Sequence, residues 1–484
     1  MFDSSGRPRS GHPLVLFAIV LLAFVLRIAW LGRESLWYDE AFTLRFARRT
    51  FGAMYALLVR EAWDPPVYPT AVWTWVRLVG AGDWQVRLVS VIAGTLAVFG
   101  VHGLARRLYD VRTAHLAALL AAISQVLIAY SQEARCYSVL LALLLATACL
   151  YVDALRERAR GRTWWGFVVL AALATLTHYY AVFFLLALAL FTVSTSARKA
   201  IPPRRLLAGT ALYALLLAPW LASGVIASAA SQPVAQFEHV APWFSVDLWT
   251  FLRTMDDFHG GRMEGLFARA PAWTYPAGAL LFALPALLGL RSLVSRSATR
   301  DEKAGTALLA LLWLVPMACL LVLGFLKIQF ATRYVLFCAV PYLVLVARGL
   351  TSLGLAARTA FLAGIVAWSA LSVRALYTIP HKEDWRGALR ELSVEVRPGD
   401  RVLFLPFGDV PLEWPVYHPD GPELDVVSLD EPERIGGDRL WVLTYERVPV
   451  DDARVDRARE ILGQRRKARE SNYFLVRLEL FLPP

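Results

Sequence analysis

Asp39 and Glu40 are adjacent carboxylates in the stretch RESLWYDEAFTLRFARR, residues 33–49, beside Trp37 and Tyr38. An acid pair can do general acid–base work when one member faces a cavity and a substrate proton. Neighbouring residues on a helix point in different directions, so the two divide the labour: one serves as base or ligand, the other ties the segment down. The simpler reading is an interfacial helix start, where the macrodipole favours acids in the first turn. Three later stretches carry further candidates. SQEARCYS at 131–138 holds Glu133 and Arg135, THYY at 177–180 holds His178 and Tyr179, and LKIQFATRY at 326–334 holds Lys327, Arg333 and Tyr334. The sequence offers no Gly-rich phosphate loop, H-E-x-x-H or nucleophilic serine constellation.

The elements that must position these residues are membrane spans. The 484 residues are 57% hydrophobic and 18% charged, with a mean hydropathy of +0.49. That composition is far from a soluble domain. The first apolar run, from Pro13, carries Arg27 and has no small-x-small cleavage pattern after it, so it reads as a retained anchor helix. Further runs begin near Val86, Ala114, Ser138, Trp164, Tyr179, Leu206, Pro271, Ala304, Tyr334 and Thr359. On a ~20-residue criterion this predicts a polytopic α-helical protein with about eleven transmembrane helices.

The net charge of +11 is not a nucleic-acid signature, because the cations sit in short clusters between apolar runs. With each run crossing once, the clusters at 7–9, 106–112, 156–162, 198–205, 291–303 and 348–358 share one side, which predicts a cytoplasmic N-terminus in the inner membrane. This requires 164–196 to be a hairpin; as one tilted element it would invert everything downstream. Arg27 and Arg87 read as snorkelling ends of their spans. Cys136, Cys149, Cys319 and Cys338 lie in or beside apolar runs and read as buried small hydrophobes.

The first outer loop, 33–85, has helical apolar spacing and tryptophans suited to helices on the bilayer surface. Residues 1–378 are thus expected to form the membrane domain. From 379 to 484 the composition becomes soluble and predicts a small extracytoplasmic α/β domain. Its expected elements are helices over KEDWRGALRELSVEV and DDARVDRAREILGQRRKAR, and strands at RVLFLPFG, ELDVVSL, RLWVLTYERV and NYFLVRLELFL.

SLWYDEAFT, following a first membrane helix, resembles the opening signature of glycosyltransferase family 39, a GT-C group that includes protein O-mannosyltransferases and the lipid A aminoarabinose transferase. DPPVYP, WQVRLVS and YSQEARCY are similar to the family's H-P-P-L-Y, R-L-P-S and Y-S-Q-E-A-R-x-Y segments, in the same order. THYYAVFFLL and ATRYVLFCAVPYLVL resemble later segments. The resemblance spans most of 30–350. It departs at Asp64, where the family commonly has histidine.

The resemblance implies a GT-C fold and transfer of a sugar from a polyprenyl-phosphate donor to a lipid, glycan or protein acceptor on the outer face. It implies Asp39 as the catalytic base, with Glu40 adjoining. Tyr38, Asp64, Glu133, Arg135, His178, Tyr179, Lys327, Arg333 and Tyr334 are the expected substrate-binding set. Arg333 is the first candidate for the lipid phosphate, with Lys327 assisting; a snorkelling arginine is the alternative. Glu133 and Arg135 either orient Asp39, contact the phosphate, or pair only with structural neighbours. His178 positions an acceptor, joins Asp39 and Asp64 at a divalent metal, or is structural. No cofactor is required, although a divalent metal is possible. A transporter or flippase of a lipid-linked saccharide is the competing reading, but such proteins favour midplane charges and paired broken helices.

Overall fold

The structure, a computed structural model, describes residues 13–157, 161–195, 200–231, 248–260, 274–325, 331–418, 421, 423–436, 439–446 and 452–483. Helix α1 (Pro13–Ile28) leads into three helices of the first loop, α2 (Tyr38–Ala47), α3 (Phe51–Glu61) and α4 (Val67–Val79). The membrane region continues as α5 (Asp83–Leu108), α6 (Val111–Ile123), α7 (Gln125–Ser131), α8 (Tyr137–Arg156), α9 (Arg162–Thr175), α10 (Ala181–Ser194), α11 (Pro203–Trp220) and α12 (Ile226–Ser231). It closes with α13 (Leu248–Phe258), α14 (Thr274–Leu290), α15 (Arg300–Phe325), α16 (Ala339–Ser352) and α17 (Leu355–Thr378). Among the described residues, seven helices are long and apolar enough to cross a membrane, or eight if the bent pair α6–α7 is one span; α1 and α10 are shorter apolar helices. The protein is a multi-pass membrane protein, and every run read from the sequence is helical here.

The stretch 164–195 is a hairpin. Trp164 of α9 packs with Ala154 near the end of α8, and Tyr151 of α8 hydrogen-bonds Thr192 of α10 at 2.6 Å. The turn between α9 and α10 lies at the other end, where Val67 donates its N–H to the Leu176 carbonyl at 3.0 Å. The cationic ends therefore gather on one face. There Arg107 pairs with Asp153 at 2.8 Å, Arg348 with Glu302 at 3.0 Å, and Asp110 caps α6 through Arg112 and Thr113.

Helices α14 and α16 cross at a small-residue contact. A Cβ on Gly349 would stand 1.8 Å from the Pro285 carbonyl oxygen, and one on Gly289 would stand 2.2 Å from that of Leu345. Only glycine permits this approach. Arg27 does not snorkel: it is 1% exposed and donates to the carbonyls of Ala23, Ala121 and Ala122 and to Ser131 Oγ. The chain bends by 59° between α6 and α7, which frees helix-end carbonyls, and the guanidinium satisfies two of them.

The C-terminal part is a sheet with helices on both faces. It comprises α18 (Trp385–Glu395), β1 (Arg401–Leu405), α19 (Trp414–Tyr417), β2 (Asp425–Val426), β3 (Leu440–Tyr445), α20 (Ala453–Gly463), β4 (Arg466–Tyr473) and β5 (Val476–Leu482). Strand order is β2-β1-β3-β5-β4, with β1 parallel to both β2 and β3 and β5 antiparallel to β3 and β4. The alternation of a strand sorts the core: Val402, Phe404, Trp441 and Leu443 meet α18, while Leu403, Leu405, Val442 and Leu440 meet α20. Residues 466–469, expected to continue the helix, instead begin β4. The helix stops at Gln464, and pairing with β5 claims the polar segment that follows.

Candidate functional site

Helix α2 begins immediately after Trp37, so Asp39 and Glu40 fall in its first turn and diverge as helical neighbours must. Glu40 points inward and its side chain is 0% exposed. Its carboxylate receives two hydrogen bonds of 2.7 Å from Arg87, one of 3.0 Å from Lys382 and one of 2.8 Å from the Ala134 N–H. Burial disfavours its charge, but Arg87 and Lys382 outweigh that and hold it below the ordinary carboxylate range. Glu40 is thus closed off from any substrate. It locks α2, α5, the 132–136 turn and the C-terminal part together. Arg87, expected to snorkel, is the buried partner in this knot and also donates to the carbonyls of Leu31, Glu34 and Ser35.

Asp39 faces the other way and its side chain keeps 23% exposure. Arg333 Nη1 stands 3.8 Å from its Oδ2, brought there by the 3₁₀ turn Thr332–Cys338. The Arg333 guanidinium lies over Trp37 and Tyr334, 5.6 and 5.5 Å from the ring centroids, a cation–π cradle that limits its motion. Thr332 donates to Asp257 Oδ2 at 2.5 Å, fixing this turn to α13.

Arg135 joins the first loop to the 132–136 turn. It contacts Asp64 Oδ2 at 3.3 Å, Thr43 Oγ1 at 3.3 Å and the Asp39 carbonyl at 3.4 Å. Glu133 is buried, and its acid is pushed up by burial and by the nearby charges of Glu40 and Asp39, against the pull of Lys382 and Arg333. His178 sits among Tyr137, Tyr180 and Tyr334, with ring centroids 6.1, 5.0 and 5.8 Å away. Its Nδ1 accepts from the Tyr180 N–H. Burial, then the positive charges of Arg135 and Arg333, push its imidazole down to about 3, so it is neutral at physiological pH. Tyr179 accepts from Trp220 Nε1 at 3.2 Å, and Tyr38 is largely exposed beside Asp39.

Asp39, Asp64, Arg135, His178, Arg333 and Tyr334 therefore meet in one cluster on the helix ends opposite the cationic face. Lys327 lies outside the described residues. Among the described residues no three of His, Cys, Asp and Glu are grouped to hold a metal ion. A partly exposed carboxylate beside a fixed guanidinium can accept a proton while a neighbouring cation stabilises an anion.

The C-terminal part packs on the first loop and the start of α5 through residues the sequence did not single out. Lys382 reaches Glu40, Arg386 pairs with Asp83 at 2.9 Å, and Tyr417 donates to Asp83 Oδ2 at 3.1 Å. Arg48 at the end of α2 donates to the carbonyls of Pro415 and Val416. The resemblance of WQVRLVS to a family segment was a signal for Arg87; nothing local marked Lys382 or Tyr417.

Residues 64–222 match the family model of dolichyl-phosphate-mannose-protein mannosyltransferases. No curated protein sequence matches. Among solved structures, the chain is similar to ArnT from Cupriavidus metallidurans bound to undecaprenyl phosphate, with TM-score 0.60, 12% identity and 98% of each chain covered. It is also similar to the archaeal oligosaccharyltransferase AglB from Archaeoglobus fulgidus in complex with an inhibitory peptide and a dolichol-phosphate, with TM-score 0.55, 14% identity, and 89% of this chain and 69% of that one covered. The chain has the fold of the GT-C glycosyltransferase superfamily.

Proposed function

From that fold we propose that the chain is a membrane glycosyltransferase that moves a sugar from a polyprenyl-phosphate donor to an acceptor. The observation that carries the reading is the approach of Asp39 and Arg333 to 3.8 Å. Asp39 is the general base. It takes the proton of the acceptor group as that atom bonds to the anomeric carbon. The bond from the anomeric carbon to the phosphate oxygen breaks, and its electron pair stays on the lipid phosphate. Arg333 meets the growing negative charge through charge-assisted hydrogen bonds. Arg135 and Asp64 hold the first loop against the 132–136 turn, and neutral His178 packs the aromatic floor beneath Tyr334.

The undecaprenyl phosphate and dolichol-phosphate in the two similar structures support a lipid-phosphate donor. The gathering of cationic helix ends on the face away from the site supports an inner-membrane enzyme with an extracytoplasmic site and cytoplasmic N-terminus. In this reading 1–378 is the catalytic membrane domain and 379–484 an extracytoplasmic domain. Purified protein should release undecaprenyl phosphate from an undecaprenyl-phosphate-linked sugar when acceptor is supplied. Asp39→Asn should reduce turnover by about 100- to 10,000-fold, the usual weight of a general base, with an unchanged melting curve. Full turnover in that variant removes Asp39 from the role.

A further inference from the structure

Resting on that reading, we infer that Glu413 of the C-terminal domain is a further substrate-binding residue, whose carboxyl hydrogen-bonds a hydroxyl group of the sugar or of the acceptor. Glu413 immediately precedes the short helix α19. Its carbonyl accepts from the Val416 and Tyr417 N–H groups, at 3.1 and 3.0 Å. Residues 413, 416 and 417 consequently share a face of that turn. That face enters the membrane domain, where Val416 is part of the main core and Leu412 and Tyr417 pack against it. Leu36 donates its N–H to the Tyr417 hydroxyl at 2.6 Å, and the Arg48 guanidinium grips the backbone of 415 and 416. The whole turn is thus clamped onto α2, the helix that carries Asp39.

Within this clamp Glu413 is 1% exposed. Neither carboxyl oxygen has a hydrogen-bond partner in another residue. Among the described residues it is the one carboxyl with both oxygens sealed from solvent and neither hydrogen-bonded to another residue. Glu40, equally buried, is by contrast answered by Arg87 and Lys382. An unanswered acid in the interior is costly where leucine would fill the space. Two of its electrostatic neighbours belong to the site: Asp39 acts on it, and it acts on Tyr38; Glu383 of the C-terminal part also acts on it. Burial first, and then the two acids, disfavour ionisation. A protonated carboxyl is both donor and acceptor, which suits a sugar or alcohol hydroxyl rather than a phosphate. Its turn is held to the helix that carries the base, and the charge of Asp39 acts on it. A site that keeps such a group at the expense of stability is using it to bind.

The experiment compares wild type, Glu413→Leu and Glu413→Gln in detergent. Leucine removes the hydrogen-bonding group; glutamine keeps a donor and an acceptor. Undecaprenyl phosphate is titrated first, and all three proteins should bind it equally. Undecaprenyl-phosphate-linked glucose, mannose and arabinose are then titrated, and release of undecaprenyl phosphate is followed against an envelope lipid and glycan extract as acceptor source. A sugar contact weakens binding of the preferred sugar-lipid by about 10-fold or more in Glu413→Leu. An acceptor contact leaves that binding intact and raises KM for the extract with little change in kcat. In either case Glu413→Gln retains most of the wild-type value, and both variants melt no lower than wild type. Unchanged sugar-lipid binding and unchanged KM in Glu413→Leu overturn the inference, as does a melting point that falls with Gln as with Leu. Failure of wild type itself to release undecaprenyl phosphate is a separate result, against the transferase reading.

Discussion

Replacing Glu40 with glutamine isolates the tie from the chemistry, because the side chain keeps its shape and loses its charge. The carboxylate is 0% exposed and Arg87 2% exposed. Lys382, also buried, adds a third charge at 3.0 Å. After Glu40→Gln two cations remain in the interior facing an amide. Removing one partner of a buried pair costs about 3–5 kcal/mol, a large fraction of a typical stability of about 5–15 kcal/mol. The sign of the pH effect is fixed by the lowered acidity of Glu40. Its stabilisation is complete above the unfolded carboxylate value and disappears as pH falls through the folded one. The melting gap between wild type and variant, read from tryptophan fluorescence in detergent, should be several degrees at pH 7 and shrink steadily below about pH 4.5. Limited trypsin digestion should release the C-terminal part faster, since the Lys382 contact is one of its anchors. Substituting Glu40, Arg87 and Lys382 together by Leu, Met and Met should recover part of the loss, because no buried charge is then left unpaired. Equal melting of wild type and Glu40→Gln at pH 7, with equal digestion rates, would refute the assignment of Glu40 as the tie.

Arg333→Lys keeps the charge but not the planar fork, so affinity for undecaprenyl phosphate should fall about 10-fold, and Arg333→Ala about 30-fold or more; titration on intrinsic fluorescence checks both, and unchanged affinity in Arg333→Ala would release this residue from the phosphate. Burial, with Glu383 and Asp39 nearby, pushes the Glu413 acid up to about 8. A raised acid costs stability as pH climbs from the unfolded value toward the folded one, by roughly 3 kcal/mol at pH 7. Glu413→Gln should therefore melt progressively above wild type between pH 5 and pH 8; a gap that does not grow with pH would contradict a protonated Glu413.

The candidate site was legible in part. Asp39 showed itself by following the first apolar run, and Arg135, His178 and Arg333 by lying at the ends of later runs on the same side. Such signals survive because they are local: a run of apolar residues needs no partner to declare itself, and the alternation of helix ends follows from counting. The structure then brings Asp39 and Arg333 within 3.8 Å. Helix geometry left the division of labour within the acid pair open, since either carboxylate can face inward from a helix start, and only the family resemblance pointed to Asp39 as the base.

What the sequence by itself determined was the membrane architecture, the soluble C-terminal segment, and the side on which the chemistry-bearing turns gather, all consequences of hydropathy and charge read along short stretches. The tertiary structure alone decided that Glu40 is the buried knot and Asp39 the partly exposed acid, because the cations that choose between them lie 47 and 342 residues away. It decided likewise that 466–471 is a strand, since its mostly exposed polar residues carry no alternation and only the ladder with β5 defines it. Glu413 was invisible for the same reason: an acid in a soluble segment is unremarkable until the fold buries it without a partner on the turn clamped to α2.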